Sequence, residues 1–150
     1  SPKLLLEGSI RWEDWTAFDQ LRIDLDQAVA GSTVEVQPRD WDDTLAFSFG
    51  GEYILNDSTI LLGGYLYSDN PVPDTTFEPA IPDSDTHLLC LGINHTFGTF
   101  DFSASYGFQQ QKDRTKNNTI APPPPSTASG ANGTYKSELH LLGFSLGYRF

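Results

Sequence analysis

From Leu142 to Phe150 the side chains alternate between two kinds. Leu142, Phe144, Leu146, Tyr148 and Phe150 share one parity, and Gly143, Ser145, Gly147 and Arg149 share the other. A strand sends successive side chains to opposite faces, so this period predicts a strand with one apolar and one small or polar face. Four further segments repeat it. Phe100, Phe102, Ala104, Tyr106 and Phe108 oppose Asp101, Ser103, Ser105, Gly107 and Gln109. Leu89, Leu91, Ile93 and Phe97 oppose Cys90, Gly92, Asn94 and Thr96. Leu45, Phe47, Phe49, Gly51, Tyr53 and Leu55 oppose Ala46, Ser48, Gly50 and Glu52, and Leu4, Leu6, Ile10 and Trp12 oppose Glu7, Ser9, Arg11 and Glu13. A sixth, weaker strand spans Ile60–Asp69. Its parity stays open, because Leu61, Tyr65 and Tyr67 compete with Ile60, Leu62 and Leu66.

Alternation alone also fits a soluble sandwich. The connections separate the two cases. Asn56–Asp57 and Gly98–Thr99 are tight turns, whereas Asp19–Asp40, Asn70–Asp85 and Asp113–Gly133 are long and polar. The order is long, short, long, short, long. Outer-membrane barrels place long loops outside and short turns on the periplasmic side, and each strand needs ~9–11 residues to cross at a tilt. Counting back from Phe150, every long connection falls outside. The expected fold is therefore all-β, with about six antiparallel transmembrane β-barrel strands in residues 1–150. A short hairpin, Leu21–Leu25 with Val34–Val36, is expected as an extramembrane extension of its neighbours. Pro122–Pro125 reads as part of a stiff, solvated loop.

Charge and composition narrow the function. The net charge of -11 and pI near 4.4 argue against nucleic acid and against a polybasic membrane-surface domain. Cys90 is the only cysteine, so no intrachain disulfide forms. The sequence has no methionine and no signal peptide, which reads as a processed precursor or a fragment. No run reaches the ~18 apolar residues of a membrane helix. His87 and His95 share a face but stand roughly 27 Å apart along one strand, and His140 lies on another. Asp40, Asp42 and Asp43 lack an EF-hand's spacing and glycine. No nucleophile elbow or phosphate loop occurs. Neither a catalytic role, nor a metal, nor a cofactor is expected.

Aromatics gather near strand ends, among them Trp12, Trp15, Phe18, Trp41, Phe47, Tyr65, Tyr67, Phe97, Phe100 and Tyr148, as in interfacial girdles. Opposite the apolar face of each strand, Ser48, Glu52, Asn94, Asp101, Ser103, Ser105, Ser145 and Arg149 are candidate lumen-lining residues. Arg149 is expected either to pair with Asp101 or to stand solvated at the rim. Leu142, Phe144, Leu146, Tyr148 and Phe150 look like the C-terminal signal that outer-membrane proteins show their barrel-assembly machinery, a strand able to pair along its edge with an apolar face toward lipid.

The stretch from Phe47 to Arg114 is the most specific. It contains Phe-Ser-Phe-Gly-Gly-Glu-Tyr, then a Gly-containing strand closing on Asp-Asn-Pro-Val-Pro (Gly63–Pro73), then Ile-Pro-Asp at Ile81–Asp83, then the strand His87–Phe97. These pieces, with Trp15 and Phe18 as a Trp-x-x-Phe segment, resemble the FadL family of outer-membrane transport proteins, the long-chain fatty acid and toluene-type channels. The resemblance covers most of the chain and departs at Pro122–Pro125 and the long first loop. It implies a monomeric fourteen-stranded barrel plugged by an N-terminal hatch, of which this chain supplies the last six strands but neither the hatch nor the lateral opening. It also implies passive uptake of hydrophobic compounds in the bacterial outer membrane, with membrane lipid, lipopolysaccharide and a hydrophobic small molecule as partners. The alternatives are a small structural or adhesive barrel without transport, and a lipid-modifying enzyme, which would need a Ser/His pair near one rim. The upstream coding sequence separates them: a hatch and eight more strands mean transport, a signal peptide directly before Ser1 a small barrel.

Overall fold

The computed structural model describes residues 3–29, 31–118 and 130–150. Its strands are β1 (Leu4–Glu13), β2 (Gln20–Val29), β3 (Ser32–Pro38), β4 (Thr44–Asn56), β5 (Thr59–Ser68), β6 (Thr86–Phe97), β7 (Phe100–Lys116) and β8 (Gly133–Tyr148). Six of them form one antiparallel sheet in the order β1-β4-β5-β6-β7-β8. These six correspond to the six alternating segments of the sequence. β1 and β8 each have a single neighbour, so the sheet is open.

Two tight turns lie at one end of this sheet. Asn56 pairs with Thr59, and the Asn56 side-chain oxygen accepts from the Ser58 amide at 3.0 Å. Phe97 pairs with Phe100 across Gly98–Thr99, and Gly98 holds φ at 61°, which a two-residue hairpin asks of its first loop residue. The described parts of the three long connections lie at the opposite end. Pro122–Pro125 lies outside the described residues.

The boundaries depart most instructively from those the alternation predicts in β7 and β8. β7 continues past Gln109 to Lys116, and β8 begins at Gly133 rather than Leu142. The added pairs, from Gln109↔Leu139 to Lys116↔Gly133, are mostly polar, so the ladder outruns the apolar stripe that reveals it. β8 ends at Tyr148, although the Arg149 amide still donates to Thr99 O at 2.8 Å. The hairpin β2–β3 is longer than its apolar core and forms a sheet of its own, so it does not extend the neighbouring strands. Its base is closed by the Arg39 and Asp40 amides, both donating to Asp19 O.

The register also settles the parity of β5. Phe49 faces Tyr65 and Tyr65 faces Leu89, while Glu52 faces Leu62 and Leu62 faces Gly92. Leu61, Tyr65 and Tyr67 therefore join the apolar face, and Ile60, Leu62 and Leu66 the opposite one. The apolar face is the more exposed. Along β6 exposure alternates residue by residue, with Leu89 and Leu91 open and Leu88 and Cys90 partly sheltered. Ile10, Leu142 and Phe144 each keep more than 70% of their surface, and the buried apolar residues among those described are only Ala46, Val72 and Phe77. In water each such large side chain would forgo about 1.5–3 kcal/mol of burial. A contiguous apolar surface of this size calls for lipid as its solvent.

The topology predicts sidedness. Thr75 is exposed in a long connection and Asp57 in a tight turn. Thr76 is unsuitable as a probe, since it is buried and its hydroxyl donates to Arg39 O at 2.5 Å. In the complete protein on intact cells, with Cys90→Ser as background, an impermeant maleimide should label Thr75→Cys and leave Asp57→Cys unreacted.

Candidate functional site: the sheltered face and the loop cluster

All eight polar candidates fall on the sheltered face. Asn94, Ser103 and Ser145 stand side by side in one row across β6, β7 and β8. Glu52 and Ser105 occupy the next row, with Leu62 and Gly92 between them. Ser48 lies two rows farther from the turns, its hydroxyl 2.7 Å from that of Ser9. Arg149 is paired rather than simply solvated: its Nε lies 2.9 Å from one Asp101 oxygen, and an NH2 donor lies 3.1 Å from the other. Thr96 donates to the same carboxylate at 2.6 Å. This cluster sits at the turn end, in the row next to Asn94, Ser103 and Ser145.

The alternation pattern missed the apolar half of this face. Leu62, Leu66, Leu88, Leu139 and Leu141 point the same way as Glu52 and Ser105. All but Leu139 adjoin a leucine or tyrosine of opposite parity, which hides them from a two-residue period. Glycines open the surface between them. Gly50 pairs with Gly64 and Gly51 with Gly63, and Gly92 and Gly107 follow on the next strands. They leave a hollow of about 680 Å³ whose floor includes Gly50, Gly64, Cys90 and Gly92. A smaller depression of about 490 Å³ lies over Gly51 and Gly63 on the apolar face, lined by Leu4, Leu6, Tyr53, Leu61 and Leu91. The sequence did signal this: Gly50–Gly51 and Gly63–Gly64 lie at matching distances from the Asp57 turn.

Beyond the sheet the long connections fold onto each other. Arg114 is buried and donates to Asn70 Oδ1 (2.6 Å), Val72 O (2.9 Å) and Asp74 Oδ1 (2.9 Å), while its guanidinium carbon sits 4.5 Å from the centre of the buried Phe77 ring. Asn118 Nδ2 donates to Asp74 O and Phe77 O. Arg39 is held by Gln37 (2.7 Å) and Glu78 (3.4 Å), tying β3 to the Asn70–Asp85 connection. Burial pushes the Asp83 carboxyl up, against the pull of the Ser84 amide and Arg114. Asp85 is also partly desolvated, yet Asn70 and Lys112 hold its carboxyl below the usual range. Trp41 packs edge-on against Trp15 (5.3 Å) and Phe18 (5.0 Å), and Asp43 accepts from the Trp15 and Thr16 amides. The histidines each meet one hydroxyl: His87 with Tyr65, His140 with Tyr106, His95 with Thr59. Among the described residues no three His, Cys, Asp or Glu side chains converge.

The family model for "Outer membrane protein transport protein (OMPP1/FadL/TodX)" matches residues 1–150. The chain belongs to this family. Among solved structures, the crystal structure of a Pseudomonas aeruginosa FadL homologue superposes with a TM-score of 0.78 at 23% identity, over 99% of this chain and 33% of that one. That likeness speaks to the fold, and the chain spans about a third of the length of its match. No curated protein matches. Family membership locates the chain in the bacterial outer membrane, and this accounts for the inverted exposure of the sheet. The FadL-type strands end in a run of rings at the turn end: Phe97 on Phe100 (5.6 Å), Phe100 on Tyr148 (5.2 Å) and Tyr148 on Phe150 (5.8 Å). Leu142, Phe144, Leu146 and Tyr148 lie together on the exposed apolar face, at 72, 73, 68 and 57% exposure.

The two faces should respond differently to charge. Leu91→Arg should lower barrel stability by about 2–4 kcal/mol, whereas Asn94→Arg should leave it within ~1 kcal/mol of the parent, read as the urea midpoint of the heat-modifiable folded band. In the loop cluster, Arg114→Ala removes a buried donor set worth about 1–3 kcal/mol and should raise the rate of proteolytic nicking within Asn70–Asp85 in the otherwise folded protein.

Proposed function

We propose that this chain is the C-terminal wall segment of a fourteen-stranded, monomeric outer-membrane channel for passive uptake of hydrophobic compounds such as long-chain fatty acids or aromatic hydrocarbons. The observation that carries the reading is the mixed character of the sheltered face. Leucines and bare glycine backbone alternate there with Ser48, Glu52, Asn94, Ser103 and Ser105. A wall of that kind lets an apolar molecule touch apolar surface while water wets the polar positions between. A porin for ions or sugars has a polar lumen, and a purely structural barrel fills its interior with side chains. In this reading the eight polar residues line the passage. The opposite face meets membrane lipid and, on the outer side, lipopolysaccharide. The residues Leu142, Phe144, Leu146, Tyr148 and Phe150 are presented to the barrel-assembly machinery.

Transport is tested by deleting the gene and measuring uptake of a radiolabelled hydrophobic compound by intact cells. Uptake should fall and return with the complete gene; unchanged uptake across a panel of fatty acids and aromatic hydrocarbons would contradict the proposal. Deleting Phe150 tests the assembly role. The folded amount in the outer membrane should drop several-fold, while uptake per folded molecule stays near normal, because the residue is fully exposed beyond the last strand.

A further inference from the structure

We infer that the glycine-floored hollow of the sheltered face is a binding site for an uncharged apolar molecule, and that Glu7 and Glu52 turn away a ligand bearing a free carboxylate. The inference rests on the reading of this face as the lumen and narrows the compounds named there to the uncharged ones, aromatic hydrocarbons rather than ionised fatty acids. Gly50, Gly64 and Gly92 remove three side chains from adjoining strands, so the floor is main chain whose N–H and C=O groups are already spent in the sheet. Such a floor offers contact area and few free hydrogen-bonding groups. Leu62, Leu66 and Leu88 wall it with apolar surface. The volume of about 680 Å³ lies within the ~300–1,000 Å³ of small-molecule sites.

The charges decide which apolar molecule fits. The lining holds two carboxylates, Glu7 and Glu52, and no basic side chain. Neither carboxylate belongs to an ion pair among the described residues. The basic residues of the same face stand outside the lining: Arg11 is held by Glu13 at 3.4 Å, Arg149 by Asp101, and Lys3 precedes β1, its carbonyl accepting from the Ile54 amide at 2.8 Å. A ligand carboxylate would meet like charge in a partly dry site, where Coulomb repulsion is stronger than in bulk water. A neutral molecule of the same shape pays nothing for that repulsion.

Cys90 lies in the floor and reports on occupancy. Its sulfur sits over Gly107, where a Cβ would approach it to 3.6 Å, and it remains partly exposed. The experiment uses the complete outer-membrane protein in lipid nanodiscs, with any other cysteine replaced by serine. The rate of Cys90 labelling by a water-soluble maleimide is measured against free concentrations of 1-decanol and of decanoate. Decanol should protect at a concentration at least about tenfold below that of decanoate, and Glu7→Gln with Glu52→Gln should bring the two within about twofold. Gly64→Leu should abolish protection in a protein that remains heat-modifiable; its Cβ would meet only ordinary contacts, the nearest at 3.8 Å from Phe49 O. Equal protection by decanol and decanoate in the parent, or none by either while Cys90 reacts, would overturn the inference. A Cys90 that reacts only with a lipid-soluble maleimide would instead overturn the lumen reading beneath it.

Discussion

In lipid no water is available to bond a main-chain amide or carbonyl, and each unpaired group there costs several kcal/mol. The continuous ladder from β1 through β4, β5, β6 and β7 to β8 answers that constraint, and much else in the structure follows from it. Antiparallel pairing with tight turns fixes the register. The register puts Leu4, Tyr53, Leu61, Ile93, Ala104 and Phe144 in one row and Leu5, Glu52, Leu62, Gly92, Ser105 and Gly143 in the next, on opposite faces. A slip of one residue on any strand would send its leucines inward and its serines into lipid. β1 and β8 each leave an edge that the same constraint requires to be paired or covered.

The ends of the sheet are governed by different chemistry. Outside the apolar belt water returns, and polar side chains become useful for fixing loops. Arg114 shows how: one guanidinium gathers Asn70, Val72 and Asp74 and lies over Phe77. The cation is tolerated in a buried place because it satisfies carbonyl and carboxylate acceptors from a connection that has no regular structure of its own. β7, a seventeen-residue strand that begins at the tight turn and carries Arg114 near its far end, is thus both membrane wall and loop anchor.

The strands were legible in the sequence where apolar and polar residues alternate cleanly, as in Phe100–Gln109 and Leu142–Phe150. Legibility failed for definite reasons. Polar extensions such as Gln110–Lys116 carry no apolar stripe, so their pairing to 133–138 cannot be seen. Doubled leucines at Leu61–Leu62, Leu88–Leu89 and Leu141–Leu142 supply both faces at once, which left β5 without a parity and concealed the apolar part of the sheltered face. The loop cluster was invisible because its core, Phe77 with Arg39, Arg114 and Lys116, is assembled from segments far apart in the chain. The Arg149–Asp101 pair was accessible because both residues lie beside one turn, on the same parity. The hollow needs the cross-strand register of Gly50, Gly64 and Gly92, which only the pairing of β4 with β5 and of β5 with β6 supplies.

The central claim is that the sheet meets lipid with its exposed apolar face and water with its sheltered one. Nitroxide labels placed singly at positions 88 to 95 of β6, in the complete protein in lipid bilayers, read this directly through their collision rates with oxygen and with a water-soluble nickel chelate. The account predicts that oxygen access peaks at 89, 91 and 93 and nickel access at 88, 90, 92 and 94, in strict alternation. Nickel access that peaks at the odd positions, or that shows no period of two, would contradict it.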